Sequence, residues 1–292
     1  MVKTGIDDAI SQLEDAIETP ITVSIDFEDN TSISLGDNIT YGNDLPYTQY
    51  LTDLENNQIL SAADRTALAS LPATTDNPVN GNADVHLTLP LLRAIGETTL
   101  GDNDINGLVL DGTIGLNIPE MNVSRMGTQD ASDYDLEAVA LHEMDEVLGI
   151  GGQGSNLASG SGSSVVIGPL DLYRYSARGV RSFAQGIELA PYFSIDSGTT
   201  ELVHFTQDLG GDYGDWGNGS TPAEGEGNDP AQVQDAFATQ GEDVNLGINE
   251  RTALDVVGYN LVVAVPEPRG IWLVAGGVMA IGITRRRSRR AV

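Results

Sequence analysis

Leu141-His142-Glu143-Met144-Asp145-Glu146-Val147-Leu148-Gly149 is the segment around which the rest of the chain can be arranged. With its flank it reads as a helix: Leu136, Val139, Ala140, Val147 and Leu148 recur at helical spacing, so one stripe is expected to be buried. Ser132 is placed to cap the N-terminus, Asp133 and Asp135 favour the first turn, and Gly149 is placed to end the helix. On this helix His142 and Glu146 stand one turn apart on one face and can converge on a single ion. Glu143 lies beside them.

In the pattern H-E-x-x-H, two histidines one turn apart hold a metal and the glutamate is the general base. Here His142 and Glu143 stand in place and Glu146 occupies the second histidine position. A carboxylate is an acceptable zinc ligand and also suits harder ions such as Mn or Ca. Glu143 is placed to take a proton from a water activated by that ion. Glu143, Asp145 and Glu146 are expected to raise one another's pKa unless a cation or an arginine compensates. The plainer reading is an acidic helix run carrying a lone histidine; the apolar helix ending in Val147-Leu148-Gly149-Ile150-Gly151-Gly152 favours the metal site.

The 292 residues suffice for one sizeable domain or two small ones. The net charge is −29, from 14 basic and 43 acidic residues. Six of the basic residues (Arg269, Arg285, Arg286, Arg287, Arg289 and Arg290) lie in the last 24 positions, leaving eight against 42 carboxylates in residues 1–264. Such a surface repels nucleic acid and anionic lipid, so no nucleic-acid partner is expected. It fits an extracellular or salt-exposed protein that binds Ca²⁺. Cysteine is absent, which excludes disulfides and Cys-ligated zinc.

Val265-Pro266-Glu267-Pro268 is followed by an apolar run, 270–284, and then by Arg-Arg-Arg-Ser-Arg-Arg. As a helix the run is ~22 Å long, short for a stable transmembrane span, with the basic cluster on the cytoplasmic side. The order Pro-Glu-Pro, short apolar helix, arginine cluster resembles the PEP-CTERM sorting signal of Gram-negative bacteria. That resemblance implies recognition of residues 265–292 by an exosortase in the inner membrane, transient anchoring, and delivery to the cell surface or extracellular matrix. An exported protein needs an N-terminal signal, whereas Met1-Val2-Lys3-Thr4-Gly5 leads directly into an acidic amphipathic helix; an N-terminal truncation is expected.

Residues 6–18 read as a helix with Ile6, Ile10, Leu13 and Ile17 on one face. Ile21, Val23, Ile25 and Phe27 alternate as a half-buried strand. Helical segments fall in 46–72, with one starting at Ser61, a strand over Val85, Leu87 and Leu89, and a short helix from Leu91 to Leu100. Asp102-Asn103-Asp104-Ile105-Asn106-Gly107 partly matches a calcium loop, but Thr113 stands where its bidentate Glu is expected, and a polar turn is the better reading. Strand pieces at 108–110 and 113–116 precede the central helix, the Gly/Ser-rich stretch 151–164 follows it, and a last helix spans Asn249 to Val257 with Asn249 as its cap. This order gives one α+β domain over residues 1–264.

Four segments carry a further resemblance: Ala138-Val139-Ala140-Leu141-His142-Glu143, Pro169-Leu170-Asp171-Leu172-Tyr173-Arg174-Tyr175-Ser176, the loop 211–219, and Leu254-Asp255-Val256-Val257-Gly258-Tyr259. Together they resemble metzincin-like metalloproteases that bacteria export with PEP-CTERM tails. The resemblance implies a zincin/metzincin-like fold with a central metal-site helix, a zinc cofactor and a peptide or protein substrate. A metzincin places its third ligand three residues after the helix-ending Gly; here that position is Gly152, which has no side chain to coordinate. The third ligand is therefore expected from elsewhere, with Asp171 first and His204 second, and Leu170–Tyr175 standing in for the Met-turn. Tyr173 or Tyr175 is a candidate oxyanion donor, with aromatic packing the plainer role.

Three functions remain. The leading one is an exported metallopeptidase with His142, Glu146 and a third group on Zn²⁺ and with Glu143 as base. The second is a catalytically silent relative, stabilised by Ca²⁺, serving as a surface or matrix binding protein. The third is an acidic surface-layer component without metal.

Overall fold

Helix α1 spans Val2–Ala16 and turns Gly5, Ala9, Leu13 and Ala16 inward. It is followed by strands β1 (Ile25–Asp29), β2 (Gly36–Thr40) and β3 (Gly42–Pro46), and by helices α2 (Tyr47–Asn56) and α3 (Ala62–Ser70). Strand β4 (Asp84–Thr88) runs into helix α4 (Leu89–Ala94). Short strands β5 (Asp104–Ile105) and β6 (Leu108–Val109) precede β7 (Gly112–Leu116), and β8 (Met121–Asn122) and β9 (Tyr134–Asp135) lead into helix α5 (Leu136–Leu148). A one-turn 3-10 helix, Pro169–Tyr173, opens the second half, followed by β10 (Arg174–Ala177), β11 (Val180–Arg181), β12 (Tyr192–Phe193), β13 (Val203–His204) and helix α6 (Ile248–Val257). The computed structural model describes residues 1–56, 59–97, 104–105, 108–152, 157, 165–186, 191–217 and 230–262.

These elements make one mixed α+β domain over Met1–Val262. The expected sorting segment 265–292, with its transmembrane run 270–284, lies outside the described residues, as does most of the polar loop 102–107. Among the described residues no helix is long and apolar enough to cross a membrane.

The sheet that matters for the site has the order β1-β7-β2. Strand β7 pairs with β1 in parallel, Phe27 opposite Ile114, and with β2 antiparallel, Asn38 opposite Ile114. Side chains on a strand alternate between faces. On β2 that rule turns Gly36, Asn38 and Thr40 inward and leaves Asp37 and Ile39 exposed. Strand β2 is a sheet edge, and its inner face lies along α5: a Cβ at Gly36 would stand 3.0 Å from Val139 Cγ1.

Helix α5 is buried on more than the expected stripe; Leu141, Glu143, Met144 and Asp145 join Leu136, Val139, Ala140, Val147 and Leu148 in the interior. Its cap is Asp135 rather than Ser132. The Asp135 carboxylate accepts the Ala138 N–H at 3.0 Å and pairs with the Arg125 guanidinium, whose Nε lies 3.0 Å away. Pairing of β9 with β8 keeps the backbone extended through Asp135, so the helix cannot begin earlier. At the other end Gly149 takes a left-handed conformation (φ 103°) and its N–H reaches the carbonyls of Asp145 and Glu146. The hydroxyl of Tyr259, just beyond α6, donates to Leu148 O at 2.8 Å and ties the last turn of α5 to the C-terminal helix.

Other expectations shift by a few residues. The first helix starts at Val2, the first strand at Ile25 rather than Ile21, and α6 is preceded by Gly247 with no side-chain cap in place of Asn249. Ser61 does cap α3, in a capping box with Asp64, and its hydroxyl also donates to Asp255 on α6 at 2.7 Å.

Candidate metal centre

Helical geometry brings His142 and Glu146 together on α5, with His142 Nε2 3.0 Å from Glu146 Oε1. The third member is Asp215, whose Oδ2 lies 3.6 Å from His142 Nε2. One ligand atom from each of the three lies within 4.8 Å of the others, and they are the one such group among the described residues. Asp215 comes from the Gly/Asp loop 211–217, where Trp216 is fully buried, stacked on Phe193 and tilted against Phe205. Tyr213, two residues earlier, lies beneath the Arg174 guanidinium, 4.1 Å from its ring centre. Asp215 is thus carried between two aromatic anchors.

Each of the three side chains is held by its outer atom. A carbonyl oxygen only accepts, so the 2.9 Å contact between His142 Nδ1 and Val233 O places a proton on Nδ1 and turns Nε2 toward the carboxylates. Asp215 Oδ1 accepts the Gly152 N–H at 2.6 Å and the Gln234 side-chain amide at 2.9 Å, leaving Oδ2 on the His142 side. Glu146 Oε2 accepts the Asn38 side-chain amide, leaving Oε1 inward. Asn38 is itself fixed, because Thr40 Oγ1 donates to its Oδ1 at 2.8 Å. Gly152, at the position where the metzincin pattern has a ligand, has φ 70° and contributes its N–H; a Cβ there would stand 2.8 Å from Glu146 Oε2.

Glu143 faces the same space from the next position on the helix. It is 6 % exposed, and its Oε2 accepts the second hydrogen of the Asn38 amide at 2.8 Å. Burial raises its pKa above the usual carboxylate value, against the lowering effects of His142 and Asn38. Burial also raises Glu146 and Asp215. Burial alone would lower His142, but the Asp215 and Glu146 carboxylates outweigh it and raise the imidazole well above its ordinary value.

Two cavities open on this cluster. One of about 560 Å³ is lined by Glu143, Glu146, Asn38 and Asp171, and one of about 410 Å³ by His142, Glu143 and Asp215. Gly36, Glu143 and Asp212 line both, so the cluster sits where they meet.

Asp171 and His204, expected as third ligands, are not in the cluster. Asp171 lines the larger cavity, but its Oδ2 accepts the Gly168 N–H at 2.9 Å and holds the start of the 3-10 turn. His204 is fixed by the pairing of β13 with β12: it stands edge-on to Tyr192 and 3.9 Å from Glu201 Oε2. Tyr173 is fully buried and donates to Val256 O at 3.3 Å, while Tyr175 lies under Arg181, so both serve packing. The side-chain donor in contact with Glu143 is Asn38, from a strand on which no site residue was expected.

Asp145 is not one of the converging ligands. It is completely buried, on a face of α5 where Glu250 of α6 is its main charged neighbour, and burial pushes it well above the ordinary aspartate pKa. As expected, neighbouring carboxylates on the helix add to the effect of burial: Glu146 raises Asp145, and Glu143 raises Glu146. No protein-family model, no curated protein and no solved structure matches the chain.

Proposed function

We propose that the chain is a metal-dependent peptidase of metzincin-like fold, with His142 Nε2, Glu146 Oε1 and Asp215 Oδ2 as metal ligands and Glu143 as general base. The observation that carries this reading is the orientation of the three inner atoms: each ligand is pinned through its outer atom, so the free atoms converge while Glu143 stands beside them. One imidazole and two carboxylates suit Zn²⁺ and also harder ions such as Mn²⁺. Bound there, the ion would supply Lewis acidity to a water and to the scissile carbonyl.

The protein's own part is positional and acid–base. Glu143, with a pKa raised by burial, takes a proton from water and returns it to the departing amine. Asn38 keeps the Glu143 carboxylate turned into the site. Among the described residues β2 is the outer strand of its sheet, an edge along which an extended peptide can lie. Two anionic ligands neutralise a divalent ion and weaken it as a Lewis acid, so turnover slower than at a two-histidine site is expected.

The oxygen-rich donor set also favours the second reading, a catalytically silent protein of the same fold stabilised by Ca²⁺. The retained base Glu143 speaks for the peptidase. Export, exosortase processing and delivery to the cell surface of a Gram-negative bacterium belong to the same proposal and rest on residues 265–292. The test is cleavage of unfolded casein by the full chain loaded with Zn²⁺ or Mn²⁺. Hydrolysis that stops with chelator and returns with metal is expected; metal-loaded protein that cleaves nothing would favour the silent reading.

A further inference from the structure

We propose that Gln234 is the positioning residue of the metal centre, aiming Asp215 with its side chain and His142 through the adjoining Val233 carbonyl, and that the first turn of α6 holds it in place through Glu250. This rests on the metal-centre reading given above. The terminal torsions of Asp and His are broad, so neither a carboxylate nor an imidazole stays aimed without outer hydrogen bonds. Gln234 supplies one of the two N–H groups on Asp215 Oδ1, at 2.9 Å. Val233 O, one residue earlier, accepts from His142 Nδ1 at 2.9 Å. A single short segment therefore orients two ligands that come from different parts of the chain.

That segment is itself clamped. The Gln234 N–H donates to Glu250 Oε1 at 3.2 Å, and the neighbouring Asn249 amide donates to Gln232 Oε1 at 2.6 Å, both from α6. The Gln234 carbonyl accepts from Trp216 N at 2.8 Å, so the clamp also grips the residue after Asp215. Gln234 and Glu250 are fully buried. Gly151 is what lets the amide approach: with φ 77°, its added Cβ would fall 2.1 Å from Gln234 Nε2. The Gly-Gly that follows the helix thus makes room for the positioning amide with Gly151 and supplies the second N–H with Gly152.

The experiment is a Co²⁺ titration of the full chain, following affinity and the visible absorption of the bound ion, with metal-free melting beside it. Gln234→Met keeps the length and removes the donor. It is expected to weaken Co²⁺ binding about 10–100-fold and to shift the absorption bands, with metal-free melting close to wild type. Glu250→Gln keeps an acceptor for the Gln234 N–H and is expected to bind like wild type, whereas Glu250→Met is expected to weaken binding. A structural role alone would move melting and leave affinity and spectrum unchanged; wild-type affinity and spectrum in Gln234→Met would overturn the inference. If Gln234→Met does not fold, the Glu250 pair decides: equal affinity in Glu250→Gln and Glu250→Met would overturn it. Absence of Co²⁺ binding in the wild type would instead overturn the metal-centre reading on which it stands.

Discussion

Glu143→Gln is expected to lower peptide hydrolysis by about 10²–10⁴-fold while leaving metal stoichiometry unchanged. Glu143 is not one of the three converging ligands, so its loss as a base does not open the coordination set. Glutamine is nearly isosteric, and its carbonyl can still accept the Asn38 amide that Glu143 Oε2 accepts now at 2.8 Å. What it cannot do is carry a proton from water to the leaving amine. Paired metal analysis and a single-turnover cleavage assay separate the outcomes. Unchanged hydrolysis would sink the base assignment, and loss of metal would mean that Glu143 is a ligand.

The second large effect is on stability. Metal-free protein is expected to become more stable as pH falls from about 8 to about 5, and saturating metal is expected to remove the part of that dependence that comes from His142, Glu146 and Asp215. The sign follows from the direction of the shifts. Burial raises Glu146, Asp215 and Asp145, and pushes Asp235 to about 8 and Asp255 to about 6. Their unfolded values lie near 4, so between about 4 and 8 the native state binds more protons than the unfolded chain, and stability rises on acidification. His142 acts in the same direction, because its folded pKa is raised and the stability it contributes is lost as pH climbs through that value. Each extra proton bound by the native state is worth ~1.4 kcal/mol per pH unit, enough to move the melting temperature by several degrees. A metal on His142, Glu146 and Asp215 displaces the protons of that cluster and raises the melting temperature with its concentration. Melting curves at pH 5 to 8, with chelator and with saturating Zn²⁺, check this. A pH dependence identical in both conditions would contradict it.

Much of this centre could be read along the chain. His142, Glu143 and Glu146 lie within five residues, and helix periodicity alone sets two of them on one face. Asp215 was out of reach because its position depends on Trp216 packing against Phe193 and Phe205 and on a hydrogen bond to Gly152, 63 residues away in sequence. The loop is rich in Gly and Asp, and the aspartate between Tyr213 and Trp216 is the one local signal it offers. Asn38 gave no local signal, since only the antiparallel register of β2 against β7 and the alternation along β2 deliver it to the helix. Asp171 is a good candidate by residue type, yet the 3-10 turn in which it lies takes its carboxylate first, through the Gly168 N–H. The helix cap shows the same competition: Ser132 and Asp135 are both good caps, and the strand pairing of β9 decides for the later one.

The central claim is that His142, Glu146 and Asp215 hold one divalent ion. Its most direct measurement is elemental mass spectrometry on the 292-residue chain purified without chelator, beside His142→Ala and Asp215→Ala. About one zinc or manganese per chain in the wild type, lost in both variants, is the predicted result. Metal that persists in both variants, or calcium alone bound independently of His142, would contradict it.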